Sequence, residues 1–190
     1  MSKLDTVIAA IDAANAKDPR QDEGQPEALL YGQRMSAALD HLYPDADDLL
    51  RIAVRGQHIE RWILPRSDYP EGKAGYHKWR RDLAAHHARR VGEIMAEAGY
   101  GPDEIAQVSK MLRKEGVKRD PLVQALEDVA SYVFVKHYFG GFVEKYGGKY
   151  DAEKIRDIVA KTARKMSEMA RAKVLEDFDL PEDLAAAFRV

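Results

Sequence analysis

Apolar side chains recur at spacings of three and four along nearly the whole chain, and they never settle into strict alternation. Leu4, Val7, Ile8 and Ile11 set the pattern at the start. An α-helix turns once per 3.6 residues, so this spacing gathers apolar groups on one stripe that must be covered, which constrains the chain to helices packed on helices. The period continues in "PEALLYGQRMSAALDHLY", "DADDLLRIAVRGQHIERW", "YHKWRRDLAAHHARRVGEIMAEAG" and "GPDEIAQVSKMLRKEG". It returns in "DPLVQALEDVASYVFVKHYFGGF" and "DAEKIRDIVAKTARKMSEMARAKVLE", with a last short helix from Pro181. Only "SYVFV" has the β-branched and aromatic composition of a strand. The expected fold is all-α.

Prolines and glycines divide these segments. "KDPRQDEGQPE" reads as a polar loop, Pro26 suits the first turn of the second helix, and Pro44 ends it. "ILPRSDYPEGKAG" cannot continue a helix without strain and reads as a surface loop. Gly99 and Gly116 stop helices, and Gly140, Gly141, Gly147 and Gly148 set off a C-terminal helical extension over 150–190. With 190 residues the chain suits one domain spanning 1–190.

Thirty basic and 32 acidic side chains leave a net charge of -2, so no global field steers the chain toward nucleic acid or an anionic membrane, although a local basic pocket is allowed. Arginines and aromatics interleave in residues 61–81, but a broad RNA footprint would need more charge. The chain has no cysteine, which removes disulfides, thiolate ligands and Cys nucleophiles. Neither a signal peptide nor an 18-residue apolar run is evident, and a cytoplasmic protein is expected.

Several polar groups sit where a core is expected. The third helix is expected to run through Trp62, so Gln57 pairs with Arg61 and His58 with Trp62 on adjoining strips, and His58 continues the strip of Val54. Such a histidine is either a satisfied core residue or part of a pocket. His86 and His87 point about 100° apart on their helix. Leu83, His87 and Val91 share a strip, so His87 is the inward candidate, with Arg80 two turns earlier. The other arginines of "RRDLAAHHARR" read as a solvated face. Glu127 and Asp128 lie within an apolar run and need a cation, a metal or several donors; a salt bridge to Arg61, Arg80 or Lys114 is the plain alternative. Arg66 and Tyr69, followed by Tyr76, Trp79 and Arg80, could close over an anion like a lid. No phosphate loop, nucleophile elbow, H-E-x-x-H or EF-hand pattern occurs.

The segments "YGQRM", "QHIERW", "PRSDYP", "GYHKWR", "HHARRVGEI", "LRKEG" and "ALEDV", in this order, resemble the domain-of-unknown-function 4202 family over nearly the whole chain. More distantly, "LLRIAVRGQHI", a histidine-bearing helix, "GYGPDEIAQVSKMLRK" and "DPLVQALEDV" are similar in order and spacing to the HD-domain metal-dependent phosphohydrolases. That second resemblance implies an HD-like helical core over about 26–140 and one divalent metal ion that activates water. Its ligand positions fall near Tyr31, on Gln57 and His58, and on Asp128. Tyr and Gln are poor ligands for a transition metal and His58 stands in an aspartate's place, which leaves His58 and Asp128 as metal ligands, with His87 as a third. Lys114 and Glu115 lie where some HD enzymes offer histidines for a second metal, and a lysine there opposes a second cation.

These readings converge on a hydrolase or lyase acting on a small anionic metabolite, phosphorylated or carboxylated. Arg34, Arg61, Arg66 and Arg80 would neutralise the anion, with Tyr31, Gln57 and Trp62 beside them and Lys114 and Glu115 completing the pocket. His58 would serve as general base or metal ligand, oriented by Asp128 or Glu127, with His87 as second acid or base. Two alternatives stay open: a non-catalytic module binding a small anion or a protein, and an interaction protein using "KIRDIVAKTARKMSEMARAK". A homodimer is admitted; nucleic acid and membrane are not expected as partners.

Overall fold

Ser2 starts the first helix by accepting from the amide of Asp5 while Asp5 accepts from the amide of Ser2, which satisfies two amides that the helix itself cannot. In this computed structural model, which describes residues 1–140 and 152–189, that helix is α1 (Lys3–Asn15). A two-residue hairpin follows, β1 (Gln21–Asp22) against β2 (Gln25–Pro26), turning through Glu23 and Gly24, both at positive φ. Thus the polar loop expected here carries the one small sheet among the described residues. Next come α2 (Glu27–Leu42), α3 (Asp48–Gly56), α4 (Gly72–Glu97), α5 (Pro102–Leu112) and α6 (Pro121–Val133). After a π-helical turn at Phe134–Tyr138 and the undescribed stretch, α7 (Ala152–Lys165), α8 (Glu168–Asp177) and α9 (Glu182–Ala185) complete the chain. The all-α expectation holds, and the glycines expected at 141, 147 and 148 lie outside the described residues.

Helix α3 is the hub and touches α1, α2, α4, α5 and α6. Its Asp47 cap accepts from the amide of Leu50, and Ile52, Ala53 and Val54 behind it are fully buried. Helix α4 lies along α5, while α6 packs against α2 and is covered by α7 and α8.

Three boundaries differ from the sequence reading, each for a tertiary reason. Helix α3 stops at Gly56, six residues before Trp62. A Cβ on Gly56 would come within 2.5 Å of Val91 Cγ2, so glycine lets the end of α3 press onto α4. The chain then turns, with Glu60 in the left-handed region (φ 51°) and its amide donating to Asn15 Oδ1 at 3.0 Å. The expected helical pairing of Gln57 with Arg61 and of His58 with Trp62 is therefore not formed on a continuous helix. Helix α4 begins earlier than expected, at Gly72, because Gly75 passes so close to Pro70 that a Cβ would meet its carbonyl oxygen at 1.9 Å. The C-terminal helix is two helices, broken before Ser167, which caps α8 through the amide of Ala170. This break shifts the helical phase, so Met166 is buried and Met169 is exposed. The strand-like "SYVFV" falls in the end of α6 and the π-helical turn.

Candidate functional site

Because α3 ends on α4, the turn after Gly56 carries Gln57, His58 and Arg61 into a cleft between α2, α4 and α6. The cleft has two lobes, of about 430 and 250 Å³, and Gln57, His58, Arg61, Arg80 and Lys114 border both. The lobe volumes together fit a metabolite-sized ligand.

His58 forms the centre of this wall. Its ring stacks on Tyr31 with centroids 3.9 Å apart and planes 16° apart, and it stands 5.9 Å from the ring of His87. Neither ring nitrogen of His58 has a hydrogen-bond partner among the described residues. Burial first, and then the positive charges of Arg61, Arg80 and Lys114 together with His87, hold its pKa well below the ordinary imidazole range, so it is neutral at pH 7. His87 is depressed in the same way, burial leading and Arg61 next. Its Nε2 is buried without a partner, as is Oε1 of Gln57. Unpartnered buried polar atoms on a cleft wall are groups that a bound molecule or water can satisfy.

Arg61 lies over the ring of Trp79, 4.8 Å from its centroid, and Trp79 is fixed by donating to the Leu64 carbonyl oxygen at 2.8 Å. Burial and the nearby Arg80 pull the Arg61 pKa down to about 10. Neither arginine forms an ion pair with a described carboxylate. Lys114, in the left-handed region at φ 58°, donates to Glu127 Oε2 at 2.6 Å, and Lys165 lies 3.7 Å from the other oxygen. Burial alone would raise the Glu127 pKa, but Lys114, Lys165 and Arg80 offset it and keep the carboxylate ionised. The salt bridge expected for this buried acid is thus present.

Other expected residues serve elsewhere. Arg34 is held by Asp22 at 2.6 Å, Glu23 at 2.8 Å and the Tyr138 hydroxyl at 3.0 Å, so the hairpin neutralises it outside the cleft. Arg66 donates to the carbonyl of Tyr69 within its own loop. Trp62 and Glu115 line neither lobe. His86, expected outward, is also buried, with its Nε2 3.6 Å from Glu60 and its Nδ1 3.2 Å from Arg89.

Asp128 is fully buried and its carboxylate accepts from the Tyr43 hydroxyl at 2.6 Å, Gln124 Nε2 at 2.9 Å and the Ser167 amide at 2.7 Å. It lines neither lobe and acts as the post to which the α7–α8 break is tied. Of the positions that the HD-type likeness marks as ligands, Tyr31, Gln57 and His58 meet, and Asp128 does not join them. No group of three or more His, Asp or Glu side chains among the described residues could hold a metal ion. A wall bearing Arg61, Arg80 and Lys114 around one imidazole does not fit a metal cation; it fits an anion.

The sequence reading missed Arg20, Tyr138 and Lys165 in the larger lobe and His77, Arg81 and Arg113 in the smaller. Arg20, Arg81, Arg113 and Lys165 carry no sequence signal beyond positive charge, His77 lies within "GYHKWR", and Tyr138 sits in an apolar run that reads as core.

A family model described as Domain of unknown function (DUF4202) matches residues 5–187, and so takes in every element of the cleft. The chain belongs to this family. No curated protein and no solved structure matches it. In this DUF4202 member no helix among the described residues is long and apolar enough to cross a membrane.

Proposed function

We propose that the chain binds a small phosphorylated or carboxylated metabolite in this cleft and acts on it as a hydrolase or lyase, with His58 as general base. One observation carries the reading: a neutral imidazole whose nitrogens bond to no described residue shares a cleft wall with two arginines that form no ion pair with a described carboxylate. Arg61 and Arg80 would hold the anion through forked hydrogen bonds, while the Tyr31 ring fixes the plane of His58. A base must carry its lone pair at working pH, and the surrounding positive charge secures this. His87 stands behind as a second proton carrier. The order of the segments supports an HD-like scaffold, and the cysteine-free composition suits a cytoplasmic setting.

A second reading, a binding module without turnover, is favoured by a different observation. No carboxylate among the described residues bonds to His58, and Asp128 and Glu127, expected to orient it, are engaged elsewhere. The test is to incubate the protein with sugar phosphates, nucleotides and organic acids and follow each by mass spectrometry. Consumption by the native chain, lost in His58→Ala with circular dichroism unchanged, supports catalysis. Ligands that raise the melting temperature without being consumed support the binding module. A panel that does neither overturns both.

A further inference from the structure

The two lobes differ in charge, and the difference assigns an orientation to the ligand. The smaller lobe is bordered by Arg61, Arg80, Arg81, Arg113 and Lys114, together with three histidines, and by no carboxylate among the described residues. Arg81 has no carboxylate partner among the described residues, and Arg113 donates only to Ser109 Oγ at 3.3 Å. Buried within the same lobe are His87, 4 % exposed, and Gln57, 7 % exposed, each with an unpartnered polar atom. Lys114 is held by Glu127, but the four arginines around these roughly 250 Å³ form no ion pair with a described carboxylate, and an anion among them relieves their mutual repulsion.

The larger lobe is different. Glu27 and Glu127 offset two of its five cations, Ser131 and Thr162 offer hydroxyls, and Tyr31, Phe134 and Tyr138 present rings. A second dianion placed there would face two carboxylates, whereas a hydroxylated or planar neutral body would find hydrogen bonds and ring faces.

We infer that the ligand is a phosphomonoester with one anionic end, its phosphate in the Arg81–Arg113 lobe and its uncharged body in the lobe of Tyr31, Ser131 and Phe134. This rests on the anion-pocket reading above and deepens it. Arg81, Arg113 and His77 then form a phosphate subsite, and His58, bordering both lobes, stands at the ester junction.

The experiment is calorimetric titration of the full chain with inorganic phosphate, ribose 5-phosphate and fructose 1,6-bisphosphate as probes. Three variants accompany it: Arg81→Gln, Arg113→Gln, and Ala130→Leu, which fills the larger lobe. Inorganic phosphate is expected to bind, ribose 5-phosphate to bind more tightly, and the bisphosphate to gain nothing over it. Each arginine variant should weaken both phosphate and ribose 5-phosphate by about three- to ten-fold. Ala130→Leu should cancel the gain from ribose and leave inorganic phosphate unchanged. Phosphate binding that ignores Arg81→Gln and Arg113→Gln but is lost in Ala130→Leu would put the anion in the larger lobe and overturn the inference while keeping the pocket. A bisphosphate that binds tighter than the monoester would overturn it as well. No binding by any of the three probes would overturn the anion pocket itself.

Discussion

The imidazole of His58 lies flat against the ring of Tyr31, 3.9 Å between centroids, with no hydrogen bond to either of its nitrogens from the described residues. A ring held by stacking keeps its orientation without giving up its lone pair. Both His58 and His87 are held neutral by burial and by the arginines around them. Their folded-state pKa values lie below the unfolded value of 6.5, so the unfolded chain binds more protons between the two. Their contribution to stability is present above about pH 6.5 and is lost as pH falls below it. The melting temperature should therefore drop between pH 7 and pH 5, and His87→Gln should flatten that slope. A slope unchanged in His87→Gln would show that His87 does not titrate as buried.

Glu127 is the counter-charge of the cleft. Glu127→Gln keeps the shape but leaves Lys114 with no carboxylate at 2.6 Å; removal of one partner from a fully buried pair costs about 3–5 kcal/mol, and the partly exposed Lys114 places the loss at the lower end. The same change makes the cleft more positive. Chemical denaturation should show the loss of stability, and calorimetry should show inorganic phosphate bound more tightly. Weaker phosphate binding would mean that Glu127 orients Lys114 toward the anion.

Asp128 separates a structural acid from a catalytic one. Asp128→Ala leaves the donors of Tyr43, Gln124 and Ser167 without their acceptor and should cost about 3 kcal/mol or more. Because the residue lines neither lobe, phosphate affinity of the folded fraction should stay within about two-fold of the native value. Loss of affinity with stability intact would return Asp128 to the site.

Gly56 governs how the wall is placed. Gly56→Ala drives a methyl into Val91 Cγ2 and should destabilise by about 1–3 kcal/mol, as overpacking does. It should also displace the following turn and weaken anion binding. Val91→Ala added to it should recover affinity, because the obstructing methyl is gone. A double variant that binds no better than Gly56→Ala would place the defect outside this contact.

Much of the fold was legible in order. Leu4, Val7 and Ile11 announced α1, Leu30, Met35 and Leu39 announced α2, and the apolar setting of Glu127 demanded the cation that Lys114 supplies. His58 and His87 were singled out because each continues an apolar strip, and they meet at 5.9 Å. Arg34 is paired with two acids of the hairpin outside the cleft, and nothing local in the sequence distinguishes a paired arginine from a free one.

The sequence by itself determined that this chain is helical, where most helices begin, and which buried polar groups need an explanation, because periodicity and capping are properties of neighbours along the chain. Tertiary structure decided where α3 stops, because the close contact between Gly56 and Val91 joins residues 35 positions apart. It also decided that Asp128 braces α8 while Arg61, Arg80, Arg81 and Arg113 border a lobe with no carboxylate among the described residues. Whether a charge is paired depends on every group that folding brings near it, and that sum exists only once the helices are packed.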